Sequence, residues 1–178
     1  AAARKPISTG WYHWAAPLKD DEPTVQFDMR RMNRILEIDE KNMYAVVESG
    51  VICAQLQAEV MKRGLNINII GAGCSTSIVA SASAYFGGGP SSYFLGSNSD
   101  NLLGQEWVTP AGEVVRTGSL SSGCGWFCGE GPGPSARAIT RGTLGTRGGL
   151  GVFTKCAVKL APHFGPAFDA SFRARLAD

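Results

Sequence analysis

The chain has little net charge, few histidines and no long apolar run, and each shortage narrows what it can be. Seventeen Lys and Arg residues stand against fifteen Asp and Glu, a net charge of +2. An excess that small and that evenly spread leaves no footprint for nucleic acid or an anionic membrane surface. No apolar stretch approaches the roughly 20 residues a membrane span needs, and no charged-then-apolar leader opens the chain. The five cysteines, Cys53, Cys74, Cys124, Cys128 and Cys156, are odd in number and lack the spacing of a disulfide framework. A reducing, cytoplasmic compartment is therefore expected. Walker loops are missing too, because no Gly-Lys-Ser/Thr closes any glycine-rich segment. Nor does a Gly-x-Gly-x-x-Gly follow directly on a strand.

Glycine, by contrast, is plentiful: 23 of 178 residues, concentrated between positions 64 and 151. With 44% hydrophobic residues the chain can build a substantial core. That much glycine predicts tight turns rather than a helical bundle. Residues 6–23 read as an irregular aromatic-bearing loop. TVQFDM reads as a strand, followed by a connector carrying Ile35, Leu36 and Ile38, and MYAVVESGV as a second strand. Ile52, Leu56 and Val60 then recur at helical spacing up to Gly64, an amphipathic helix with a glycine cap. IVASASAYF suggests a short buried helix, 103–118 a hairpin turning on PAG, 135–141 about two helical turns, and GVFTKCAVKL the last strand. This order lacks the regular alternation of a doubly wound sheet and predicts an α+β fold with a mixed sheet.

Four small-residue segments stand out: STGW at 8–11, GAGCSTS at 71–77, GGGP at 87–90, and GTLGTRGGLG at 142–151. Small residues expose successive backbone N–H groups, which together make a concavity suited to a phosphate or diphosphate. Each segment alone reads as an ordinary turn rather than a functional loop; their fixed order is what carries weight.

The series MRRMNRILEID, VVESGV, AQLQAEVMKRGL, GGGP, LGSNSDNLLG, PAGEVVRTG and GLGVFTKCAVKLAP resembles the FAD-binding domain of the vanillyl-alcohol oxidase/para-cresol methylhydroxylase (PCMH-type) superfamily. Within it the similarity is greatest to glycolate oxidase and D-lactate dehydrogenase subunits, with alkyl-dihydroxyacetonephosphate synthase as a cousin. The resemblance covers roughly residues 6–162. It implies FAD held between two subdomains mostly by backbone groups: Ser8, Thr9 and Gly10 at a first diphosphate loop, and Gly71, Ser75, Thr76, Ser77, Val79, Ala80 and Ser83 along a second. It also implies Asp100 after the family's Tyr/Phe-Gly step, and Gly151, Val152 and Thr154 reaching the cofactor with backbone groups. The implied division is 1–40 for the end of the first subdomain, 41–162 for the second and 163–178 for the start of a linker or cap.

Several residues depart from that pattern. Val79 and Ala80 replace two glycines, and Thr146, Arg147, Gly148 and Gly149 stand where the family often has Ser-Glu-Gly-Thr. Arg147 could pair with a phosphate or carboxylate, or point to water. His13 and His163 lie in no flavin-linkage motif and read as loop histidines. Cys124 and Cys128 lack further metal-ligand partners and read as thiols of a glycine-rich loop, so no metal is expected. Arg137 and Arg141 could steer an anionic substrate or be surface charges. The family needs a preceding βαβ unit and a cap domain, so a fragment or a subunit completed by partners is expected, with no catalytic residue to nominate.

The function implied is an FAD-dependent dehydrogenase acting on a small-molecule substrate such as a 2-hydroxy acid, with a protein or quinone as electron acceptor. The alternatives are a flavin-containing alkyl-dihydroxyacetonephosphate synthase-like transferase and a non-catalytic FAD-domain subunit of a redox complex.

Overall fold

Five β-prone segments find one another across long sequence separations and build a single antiparallel sheet. It was analysed in a computed structural model that describes residues 3–10, 21, 23–71, 73–84, 87–126 and 146–163. The strands are β3 (Ile35–Asp39), β4 (Tyr44–Glu48), β6 (Leu102–Val108), β7 (Val114–Arg116) and β8 (Val152–Lys159), in the spatial order β3-β4-β8-β6-β7. The last long strand is thus inserted beside the second, between hairpins that are local in sequence. β1 (Ala3–Ile7) and β2 (Thr24–Asp28) form a separate parallel pair, and β5 (Leu65–Asn66) pairs with β9 (Ala161–Pro162). The α+β architecture expected from the sequence is the one found, with the parallel pairing confined to β1 and β2 and the five-stranded sheet wholly antiparallel.

Strand alternation divides the core. Ala45, Val47, Leu102, Cys156 and Val158 turn to one face and pack against Leu56 and Val60 of α1 (Cys53–Met61) and against Ile78, Val79 and Ala82. Trp107 and Phe153 stack in the same cluster, ring centroids 5.2 Å apart. Fully burying a side chain such as Leu56 contributes about 1.5–3 kcal/mol. Tyr44, Val46, Leu103 and Ala157 turn to the opposite face, where Trp126 packs on them. With both faces covered, β4 is buried along its whole length.

A row of alternating charges crosses the sheet. Arg34 Nη2 lies 2.7 Å from Glu48 Oε1, Lys155 Nζ 3.0 Å from Glu106 Oε1, and Arg116 Nε 3.0 Å from Glu106 Oε2. Glu48 and Lys155 are cross-strand partners, as are Lys155 and Glu106, and Glu106 and Arg116. Burial pushes the Glu106 carboxyl up, but hydrogen bonds from Lys155, Thr154 and Arg116 outweigh it and hold the group below its ordinary value.

Two local readings change. The expected connector at Ile35, Leu36 and Ile38 is strand β3; the pairing slips between Ile35 and Glu37, and that bulge hides the alternation. The expected buried helix at 78–86 is helical over 78–84, but Ala80–Ala84 is wound as π-helix. α1 ends as its period implied, with Gly64 at φ +71°. The hairpin turns where PAG stands, Gly112 N–H donating to Thr109 O at 2.9 Å. The expected helix at 135–141, with Arg137 and Arg141, and also His13 and Cys128, lie outside the described residues. No helix among the described residues is long and apolar enough to cross a membrane.

Candidate cofactor site

The small-residue loop at 71–77 is strapped to three elements. Cys53 N–H donates to Thr76 O at 2.8 Å and Ala54 N–H to Cys74 O at 2.7 Å, which fixes the loop against the start of α1. Ile78 N–H reaches Val51 O at 3.0 Å, and Ser77 Oγ donates to Ser49 O at 2.7 Å. Ser49 N–H in turn donates to Thr154 O at 3.0 Å, so the loop, the end of β4 and the start of β8 form one bonded unit.

Segment 146–151 docks on the other end of the helical stretch. Thr146 N–H donates to Ser83 O at 2.9 Å and Arg147 N–H to Ala84 O at 3.2 Å. A Cβ on Gly148 would lie 3.9 Å from the Pro6 ring, so the end of β1, which leads into Ser8, Thr9 and Gly10, borders the same segment. The structure thus brings 71–77 and 146–151 to the two ends of the stretch 78–84, and GGGP joins them, a Cβ on Gly87 falling 2.4 Å from Ser81 O.

Within that assembly the expected site residues divide into scaffold and open groups. Ser77 Oγ donates to Ser49 O and accepts from Ala80 N–H, and Ser83 Oγ donates to Val79 O at 2.6 Å. Val79 is a core side chain. Thr154 Oγ1 donates to Glu106 O and Oε1, and its carbonyl accepts from Ser49. Thr76 differs: it is only 7% exposed, and its Oγ1 has no hydrogen-bond partner. Around it, the N–H groups of Cys74, Ser75 and Ser77 donate to no other described residue. Buried polar groups are nearly always satisfied, so the open Thr76 hydroxyl and these amides are donors available to a ligand group. Neutral hydroxyl and amide donors suit the oxygens of a diphosphate, and to that extent the residues fit a dinucleotide cofactor. Gly71, half a loop away, is exposed and donates its N–H to Gly88 O at 3.0 Å.

Gly151 has a different reason to be glycine than approach to a ligand. Its φ is +132°, and a Cβ there would sit 2.1 Å from Val108 O. The close approach is to β6, where Val152 pairs with Val108. Asp100 lies in the turn at the start of β6, its Oδ2 accepting from Ser97 N and Oγ, and that turn is tied to the helical stretch by Asn98 Nδ2, which donates to Ser81 Oγ at 2.7 Å. Val152 pairs with the far end of that strand, about 20 Å away at strand rise.

Arg147 takes a left-handed backbone, φ +49°, uncommon for a residue with a side chain. Its Nε is buried, so the guanidinium does not simply extend into water. Cys53 and Cys156 are buried and Cys74 and Cys124 exposed; burial pushes the Cys53 thiol up to about 11, leaving it inert at neutral pH. Among the described residues no group of three His, Cys, Asp or Glu could hold a metal ion. Thr146, which the sequence marked only as a departure from the family pattern, also has a buried Oγ1 without a partner.

The chain is similar to one protein family and to several known proteins. Residues 10–118 match the FAD binding domain family. An uncharacterized FAD-linked oxidoreductase of Mycobacterium tuberculosis is 30% identical over 154 residues, covering 86% of this chain and 30% of that protein. Glycolate oxidase subunit GlcD of Bacillus subtilis is 32% identical over 133 residues, covering 75% of this chain and 26% of the relative. Among solved structures, an alkyldihydroxyacetonephosphate synthase superposes with a TM-score of 0.71 at 23% identity, over 90% of this chain and 27% of that one. The chain therefore spans under a third of the length of these relatives.

Proposed function

The chain belongs to the FAD binding domain family, and from that premise we propose that it is the cofactor-holding part of an FAD-linked dehydrogenase. Its substrate would be a small 2-hydroxy acid, and its electron acceptor a protein or a quinone, with further subunits completing the assembly. The observation that carries the reading is the unpartnered, buried Thr76 hydroxyl inside a loop of unengaged backbone amides. The likeness to a glycolate oxidase subunit supports the substrate class.

Bound flavin supplies acceptance of two electrons and a proton from the carbon being oxidised. The residues of this chain bind and orient. Thr76 Oγ1 and the amides of Cys74, Ser75 and Ser77 are placed to donate to diphosphate oxygens, as neutral donors that need no counter-charge. Ser77 and Ser83 hold the backbone in that shape by bonding it to itself. Val79, packed in the core, excludes water from beneath the loop. Ser8 and Thr9, half-buried after β1, would add further hydroxyl donors.

The test is anaerobic addition of glycolate or D-lactate to the purified, flavin-loaded protein. Bleaching of the flavin absorbance supports the dehydrogenase. Turnover of an acyl-dihydroxyacetonephosphate with no bleaching by any 2-hydroxy acid replaces it with the transferase. A preparation that neither carries FAD nor takes it up overturns both.

A further inference from the structure

The stretch 78–84 is wound against its own composition. Ala80-Ser81-Ala82-Ser83-Ala84 repeats the residue of highest α-helical propensity, yet it forms a π-turn. That winding is rare and closes its hydrogen bonds over one residue more than an α-helix does. Something outside the stretch must hold it so, and Ser81 is where the rest of the fold grips it. Asn98, in the turn before β6, is buried, and its Nδ2 donates to Ser81 Oγ at 2.7 Å. The Ser81 hydroxyl directs its own hydrogen to Ile78 O at 2.9 Å. We propose that Asn98 is a positioning residue for the FAD site: through Ser81 it fixes the π winding, and with it the docking of 146–151, without touching the cofactor. This rests on the reading above.

Asn98 is itself held in place. Its backbone N–H donates to Gly87 O at 3.2 Å, and Asn68 Nδ2 donates to the same carbonyl at 3.2 Å. Asn68 Oδ1 accepts from the Ser91 and Ser92 hydroxyls at 2.7 and 3.3 Å. Gly87 takes φ +63°, and a Cβ there would fall 2.9 Å from Asn98 Cβ and 2.4 Å from Ser81 O. Asn98 and Ser81 therefore approach each other across a space that glycine leaves open. Relaxation to an α-helix would remove one residue from the turn, and every later residue would rotate by about 100°. The carbonyls of Ser83 and Ala84 would then swing away from the amides of Thr146 and Arg147, which they accept at 2.9 and 3.2 Å. Segment 146–151 would lose its dock.

The experiment uses the full chain titrated with FAD. Quenching of flavin fluorescence gives the affinity, and visible circular dichroism at saturating FAD reports the surroundings of the bound flavin. Thermal unfolding of the flavin-free protein reports the fold. Asn98→Leu keeps the outline of the side chain and removes the donor. It is expected to weaken FAD binding about 3- to 10-fold, the worth of one net hydrogen bond, and to change the visible band at saturation. Ser81→Ala cuts the same bond from its other end, should give the same altered band, and carries the test alone if Asn98→Leu does not fold. Combining the two should weaken binding no further than the worse single variant, because one bond is lost only once. Losses that multiply overturn the proposal, as does wild-type affinity with a wild-type band in Asn98→Leu. A wild-type band at saturation, with a fall in flavin-free Tm that accounts for the weaker binding, makes Asn98 a stabilising residue only and also overturns it. Each of these leaves the family reading intact; a wild-type chain that takes up no FAD overturns both.

Discussion

Gly151→Ala is the substitution whose effect the structure fixes most tightly. The added Cβ would stand 2.1 Å from Val108 O, 3.0 Å from Val108 C and 3.1 Å from Thr109 Cα, all backbone atoms that no side-chain rotation can move. Relief requires the start of β8 to withdraw from β6 by roughly 1.5 Å, given optimal carbon contacts of about 3.5–4 Å. The first pair of that ladder, Val108 with Val152, would open. Holding an L-residue at φ +132° adds about 1–3 kcal/mol, and each lost ladder bond about 1 kcal/mol. Together these predict a destabilisation of about 3–5 kcal/mol, a large share of the 5–15 kcal/mol typical of a folded domain. The control is Gly112→Ala in the hairpin turn. That glycine also has positive φ, +88°, but a Cβ there meets nothing within 4 Å. It should cost about 1–2 kcal/mol, the left-handed penalty alone. Urea denaturation followed by circular dichroism measures both. Equal midpoints for the two variants would refute the argument that contact with β6, and not backbone conformation alone, requires glycine at 151.

Glu106 and Tyr44 give two pH predictions of opposite sign. The folded Glu106 carboxyl sits below its ordinary value, so its contribution is present above about pH 4.5 and disappears as pH falls through the lowered folded value. Glu106→Gln should cost about 1–2 kcal/mol at neutral pH and flatten the acid limb of stability against pH; an unchanged acid limb would remove the charge row from the account. Burial, then the hydrogen bond from Tyr44 Oη to Glu37, pushes the Tyr44 phenol up to about 12. Its contribution is full below pH 10 and is lost as pH rises towards 12. Tyr44→Phe should therefore unfold less steeply than wild type over that alkaline window in equilibrium denaturation. Identical slopes would show that Tyr44 does not contribute there.

Much of the architecture could be read from the residues. The 3.6-residue spacing of Ile52, Leu56 and Val60 delimits α1, and the PAG turn sets the β6–β7 hairpin, because both depend on neighbours in sequence. The family emerged from the order of small-residue segments, since a chain that must bring backbone close to something has few residue types to use. Strand β3 was harder, because a bulge breaks its period.

The candidate site was only half legible for a related reason. Sequence marks where side chains shrink, and so it found Ser77, Ser83 and Gly151 as readily as Thr76. It does not record which hydroxyls are already bonded. Ser77 and Ser83 spend theirs on the local backbone, Thr154 on Glu106, and Gly151 answers to Val108 across the ladder. Thr76 and Thr146 keep buried hydroxyls without a partner, which shows only once 71–77 is strapped to α1 and 146–151 docks on the carbonyls of 83 and 84. Local spacing and turn chemistry determined the elements, and the ordered series of segments carried the resemblance to the family, because those are properties read along the chain. Which polar groups remain for a ligand was decided by the tertiary structure, because hydrogen-bond satisfaction is settled among atoms that meet only after folding.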